Sequence, residues 1–176
     1  MIFTNAETRN QGFSGRPTSK VFSTEHDYST NENQNYISYC WHSVPGLQKF
    51  GSYEGNAATA GPFVELGFRP AIVIIKAVDP DATYQSYYSW GIWDNKRQTY
   101  NPATDPLWAN HNSEEGYRGN GSTNQSGVLN VDFLSNGFKI IATNPSEMDD
   151  NNITYIYCAW AEAPSINLYG AQANAR

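Results

Sequence analysis

The run Pro70-Ala71-Ile72-Val73-Ile74-Ile75-Lys76-Ala77 constrains this chain more than any other feature. Its four consecutive β-branched residues, Ile72 to Ile75, are stiff at χ1 and sit well on a pleated surface. A short apolar run between turn residues reads as a strand covered on both faces. Gly61-Pro62 opens the wider stretch, Gly67 and Pro70 interrupt it, and Asp79-Pro80-Asp81 closes it. Proline is tolerated at strand starts and edges, so Arg69-Pro70 marks a corner between two strands. Phe63 to Phe68 and Ala71 to Ala77 are therefore expected to be central strands of an antiparallel β-sandwich.

Further strand patterns surround this pair. Leu129, Val131 and Phe133 alternate with polar residues, Asn136-Gly137 follows, and Phe138, Ile140 and Ile141 resume. Asn-Gly between two apolar alternations is a preferred hairpin turn, because both residues accept positive φ. Lys20–Ser23, Tyr36–Trp41, Gln48–Tyr53, Leu107–Ala109 and Ile153–Ala161 also read as strands. Ser86–Asp94 is another, with Gly91 as a bulge. No amphipathic helix is legible. Residues 1–19 are polar and read as an arm that pairs with a neighbouring subunit or as a loose terminus. The organisation expected is an N-terminal arm over 1–19 and one all-β domain over 20–176, a jelly-roll-like sandwich.

The chain also echoes itself. Lys20-Val21-Phe22-Ser23-Thr24 resembles Lys139-Ile140-Ile141-Ala142-Thr143, Tyr36-Ile37 recurs as Tyr155-Ile156, and Trp41 as Trp160, all at an offset of 119 residues. The expectation is one β-loop-β unit used twice.

Charge narrows the function classes. With 11 basic and 17 acidic residues the formal net charge is −6, and the basic residues form no run. That argues against a nucleic-acid binder relying on a basic face. No segment approaches the length of a membrane span. The first residues lack a basic cluster followed by an apolar core, so no secretory signal is read and synthesis in the cytoplasm is expected. Cys40 and Cys158 lie inside strand patterns and are expected to be buried free thiols.

Residues that carry chemistry elsewhere have bland readings here. Cys40 and His42 share one strand face, but no third group orients them, so they read as a thiol beside a strand-end histidine. His26, His42 and His111 have no zinc-ligand spacing. Asp79, Asp81, Glu147, Asp149 and Asp150 fit no calcium loop and read as solvated turn carboxylates. No glycine-rich phosphate loop precedes a helix. No catalytic, cofactor or metal residue is assigned, and no enzymatic activity is expected. Aromatic residues are more informative. Tyr84, Tyr87, Tyr88, Trp90, Trp93, Tyr100, Trp108 and Tyr117, with His111, crowd into one third of the chain. Either they form a binding surface that stacks on sugar rings, or half alternate into the core and the rest cover a subunit interface.

Several runs together carry a resemblance. They are Tyr39-Cys40-Trp41-His42-Ser43-Val44-Pro45-Gly46-Leu47-Gln48-Lys49-Phe50-Gly51-Ser52-Tyr53, Gly61-Pro62-Phe63-Val64 and Gly67-Phe68-Arg69-Pro70-Ala71. Lys96-Arg97, Tyr100-Asn101-Pro102, Asp132 through Lys139, and Thr154-Tyr155-Ile156-Tyr157 follow in order. From about Val21 onward the chain resembles a domain of unassigned function found in virion appendage proteins of tailed bacteriophages, many of them marine. The resemblance implies a virion structural protein: a tail-fibre or surface-appendage module, homotrimeric, that mediates assembly and host attachment. Its expected partners are itself, other virion proteins and a host-surface glycan, with no catalytic residues. A capsid decoration protein, a carbohydrate-binding lectin and a glycan depolymerase are the competing readings.

Overall fold

The computed structural model describes residues 18, 20–24, 32–78, 88–117, 129–142 and 148–163. Among them there is no helix. The chain divides into two compact units, Ile2–Trp41 and a larger one from His42 onward.

The larger unit is an antiparallel β-sandwich. Its strands are β1 (Gln48–Glu54), β2 (Ala60–Glu65), β3 (Pro70–Ala77), β4 (Gly91–Asp94), β5 (Leu107–Trp108), β6 (Leu129–Leu134), β7 (Gly137–Ala142) and β8 (Thr154–Ala161). One sheet has the order β1-β8-β3-β4-β5, the other β2-β7-β6. The Ile72–Ile75 run sits in β3, near the middle of the five-stranded sheet. Val73 and Ile75 point into the core and are fully buried, while Ile72 and Ile74 are half-buried on the other face.

Register explains the core. Val73 stands between Ala159 on β8 and Trp93 on β4, so all three share the inward face. Tyr53, Tyr155, Tyr157 and Trp108 complete it, opposed by Val64, Leu129, Val131, Phe133, Phe138 and Ile140 of the three-stranded sheet. Tyr53 and Tyr155 stack at 5.1 Å, and Phe138 meets Tyr157 edge-on at 5.4 Å. Buried polar tips find partners: the Trp93 indole N–H donates to Leu129 O at 3.1 Å and the Tyr53 hydroxyl to Met148 O at 2.9 Å.

Several expectations change. Phe63–Phe68 is not a central strand: β2 ends at Glu65 and forms an edge of the smaller sheet. Leu66 and Phe68 are buried outside any strand. Gly91 is not a bulge, since it pairs regularly with Ile75 and Trp108. Its lack of a side chain is needed because the Trp93 ring occupies the place where a Cβ would sit, with the Trp108 ring close beside it. The β6–β7 turn is Ser135-Asn136, not Asn136-Gly137, and neither residue has positive φ. Gly137 is instead required by the close approach of the Val64 carbonyl on β2.

The repeated β-loop-β unit is not observed. The later copy supplies β7 and β8, but residues 20–24 and 36–41 lie in no strand. In the smaller unit, Thr18 Oγ1 accepts from Val21 N–H at 3.0 Å and from Lys20 N–H at 3.2 Å, closing a tight turn. Farther along, Tyr39 and Trp41 stack with ring centres 6.1 Å apart. Cys40 is exposed and only Cys158 is buried; both are free thiols. Apart from Thr18, the arm over 1–19 lies outside the described residues.

Candidate functional site: a pinned aromatic loop

The chain between β4 and β5, with the turn after β5, is held by an unusually complete set of side-chain bonds. Asp94 starts it. Asp94 Oδ1 accepts from the N–H groups of Lys96 and Arg97, each at 2.9 Å, fixing the turn out of β4. Arg97 then folds back: its guanidinium pairs with Asp94 and Glu115 and donates to the carbonyls of Asp105 at 3.0 Å and Ile92 at 3.3 Å. Burial pushes the Asp94 carboxyl up, but the hydrogen bonds from Arg97 and Lys96 outweigh it and hold it below the usual carboxylate range. The planar fork of arginine suits this work, because one side chain serves several acceptors at fixed angles.

Gln98 closes the loop on itself. Its Oε1 accepts from Thr104 N–H and from Asp105 N–H at 3.1 Å, and its Nε2 donates to Thr104 Oγ1 at 2.7 Å and Asp105 Oδ2 at 2.6 Å. The far side of the loop zips along the outer edge of β6. Asn101 Nδ2 donates to Phe133 O at 3.0 Å and Asn101 Oδ1 accepts from Phe133 N–H at 2.9 Å. Ala103 then exchanges both backbone hydrogen bonds with Val131, at 2.9 and 3.0 Å. The Asn101 amide thus imitates a strand residue, and the Asn101-Pro102 peptide is cis. Lys96 and Arg69 meet at Glu162 just past β8, and Arg69 also reaches Phe133 O at 2.8 Å.

Between these fixed points Tyr100 stands out into solvent, 72% exposed. His111 is also exposed, with its Nδ1 2.6 Å from Ser113 Oγ. Trp90 and Tyr117 are half-buried. The Trp90 N–H donates to Asn110 Oδ1 at 2.8 Å, and the Tyr117 carbonyl accepts from the Trp108 indole. Trp93, Trp108 and Tyr88 are buried and drop out of any exposed surface, because β4 and β5 turn those indoles inward and the Tyr88 hydroxyl binds Asp150. Tyr84 and Tyr87 lie outside the described residues. The pinning residues Gln98 and Asp105 carry no motif that marks them, whereas Asn101 lies in the Tyr100-Asn101-Pro102 run, where an asparagine before a proline is a turn signal.

A second polar cluster corrects the view of Asp149 as a solvated turn carboxylate. Asp149 is fully buried. Its carbonyl accepts from Ala57 N–H at 2.7 Å and its Oδ1 from Asn56 N–H at 2.7 Å, while Oδ2 has no hydrogen-bond partner. Burial raises its carboxyl above the ordinary range despite the surrounding backbone donors. Asp150 N–H donates to the Tyr155 hydroxyl at 3.0 Å. This cluster clamps the segment after β1 to the segment before β8; Asp79, Asp81 and Glu147 lie outside the described residues. Among the described residues no group of three metal-ligating side chains converges.

Comparison with known proteins gives a family without an assigned activity. No curated protein and no solved structure matches the chain. The match to a known family covers residues 3–164, nearly the whole sequence, and on that basis the chain belongs to the family described as "Domain of unknown function (DUF7483)".

Proposed function

We propose that this protein is a bacteriophage virion structural protein, a tail-fibre or surface-appendage module on a jelly-roll-like sandwich. It self-assembles as a homotrimer, docks on other virion proteins and helps attach the particle to a host-surface glycan. Its mechanism is binding. The observation that carries the reading is Tyr100, displayed on a loop whose backbone is tied to β4 by Arg97 and to β6 by Asn101 and Ala103. A contact residue held this way loses little freedom on binding, which favours affinity. An exposed tyrosine face also suits a sugar ring.

The test is mass spectrometry of purified particles separated into heads and tails. The protein is expected in the tail or appendage fraction. Recovery in the head fraction assigns it to capsid decoration instead, and absence from particles ends the proposal.

A further inference from the structure

A sandwich has four sheet edges, and an uncovered edge offers amides and carbonyls to any strand that fits. Three of these edges are blunted by the chain itself. β6 is lined by Asn101 and Ala103. Beside β5, Gly116 N–H binds Pro106 O at 3.1 Å and the Trp108 indole binds Tyr117 O. On β1, Gln48 pairs with Val44, and the Phe50 N–H donates to Ser43 Oγ at 3.1 Å.

The outer edge of β2 is different. Leu66 N–H turns toward Asn136 O, and Val64 pairs with Phe138 on the same side. Alternation therefore sends the backbone groups of Phe63 and Glu65 the other way. Lys49 Nζ takes the Glu65 carbonyl at 2.7 Å. Outside the β2–β7 ladder, the Phe63 N–H, the Phe63 carbonyl and the Glu65 N–H meet no partner among the described residues. The Phe63 side chain is 47% exposed beside them.

The matching half is in the smaller unit. Of the nine exposed large apolar residues among those described, six lie at or before Trp41. Ile37, Tyr39 and Trp41 are 80%, 74% and 50% exposed. Tyr39 stacks on Trp41, and Ser38 Oγ lies 3.3 Å from Cys40 Sγ. Contacts between residues two apart on alternate sides are the pattern of a strand, with Ile37, Tyr39 and Trp41 along one face. Yet residues 37–41 belong to no sheet. The segment also repeats the pattern of β8, Tyr155-Ile156 and Trp160, which pairs on both sides within this same sandwich.

We infer that residues 37–41 of one copy add as a further strand to the β2 edge of a second copy. Backbone pairing at Phe63 and Glu65 supplies the hydrogen bonds, and Phe63 packs against the Ile37-Tyr39-Trp41 ladder. Donor and acceptor are different surfaces, so the contact is head-to-tail and closes into a ring when the rotation permits. The inference rests on the self-assembling reading above and names its contact.

Tyr39 lies on the side of the donor segment that meets Phe63, whereas Cys40 shares the other side with Ser38, so position 39 reports directly. Tyr39→Cys is combined with Phe63→Cys, and separately with Glu65→Cys, in a full chain carrying Cys40→Ser, and each is oxidised. The expected result is a disulfide between copies, seen as multiples of the chain mass without reductant and absent when Tyr39 is left unchanged. By light scattering, Ile37→Asp weakens self-association of the otherwise unmodified chain at least tenfold, with an unchanged circular dichroism spectrum. A wild-type chain that is monomeric at all concentrations overturns both the self-assembly reading and this contact. An assembled wild type in which neither cysteine pair cross-links overturns the contact alone. A disulfide within one chain places the strand on its own edge and overturns the exchange.

Discussion

Removing the Asn101 side chain tests whether the loop is truly pinned. Asn101→Ala deletes two hydrogen bonds to the backbone of Phe133, of 2.9 and 3.0 Å. The Phe133 carbonyl keeps Arg69, so its loss is partial. The Phe133 N–H keeps nothing, and Phe133 is a core residue with almost no exposed surface. An orphaned buried donor costs about 1–3 kcal/mol, and an ordinary net hydrogen bond contributes about 0.5–1.5 kcal/mol. The expected loss is therefore about 2 kcal/mol. In a chain of this size that lowers the melting temperature by roughly 4–8 °C. Urea denaturation measures the total.

Amide exchange locates that loss: the Phe133 N–H becomes fast, while the Val131 N–H, held by the Ala103 carbonyl, loses less protection. Asn101→Asp sharpens the case. It keeps an acceptor for the Phe133 N–H but sets a carboxylate against the Phe133 carbonyl, so it costs at least as much as alanine. Tyr100→Ala, by contrast, alters an exposed side chain and stays within about 0.5 kcal/mol of wild type. A Phe133 amide that remains slow in Asn101→Ala, or a stability change below about 0.5 kcal/mol, would refute the pinning argument.

Three further outcomes are expected. Asp149 is raised in the folded state, so between the ordinary carboxylate value and its folded value the native chain binds more protons than the unfolded one. Stability therefore falls as pH rises through that window, and Asp149→Asn removes this slope. Comparing urea curves of the two chains from pH 4 to 7 checks it, with parallel profiles as the contrary result. Burial pushes the Cys158 thiol up to about 12, so a thiol reagent should label exposed Cys40 at once and Cys158 only after unfolding; two fast equivalents would contradict this. Gly91→Ala drives a Cβ into the Trp93 ring, which has no exposed surface to retreat into. It should cost about 1–3 kcal/mol by overpacking, read by thermal melting, and an unaltered melt would show that the indole can shift.

Most of the sandwich was legible because its strands are locally encoded. β-branching in Ile72–Ile75, alternation in Leu129–Phe133 and the aromatic run of β8 each needed only a few neighbours to be read. What failed depended on distant partners. Phe63–Phe68 has strand composition throughout, yet only residues up to Glu65 find β7 to pair with, and Leu66 onward turns to Asn136 instead. Residues 20–24 and 36–41 match later strands in sequence but are in no sheet, since composition cannot supply an edge to pair with. Gly137 suits a hairpin turn by its tolerance of positive φ, whereas the structure uses its missing side chain to admit Val64.

The fate of the aromatics follows the same division. Once β3 is placed, pairing of Val73 with Trp93 sends that indole inward, and pairing of Gly91 with Trp108 does the same on β5. Those burials are consequences of register. Tyr100 lies between strands, where no alternation applies, and its exposure is decided by Gln98, Asn101 and Arg97 holding the chain on either side. Each of these is a polar residue whose ordinary reading is a solvated loop. Their bonds run to Asp105, Phe133 and Glu115, between 7 and 32 residues away. A rigid display of one aromatic is thus built from residues whose pinning role no local pattern shows, because its specification lies in long-range backbone satisfaction.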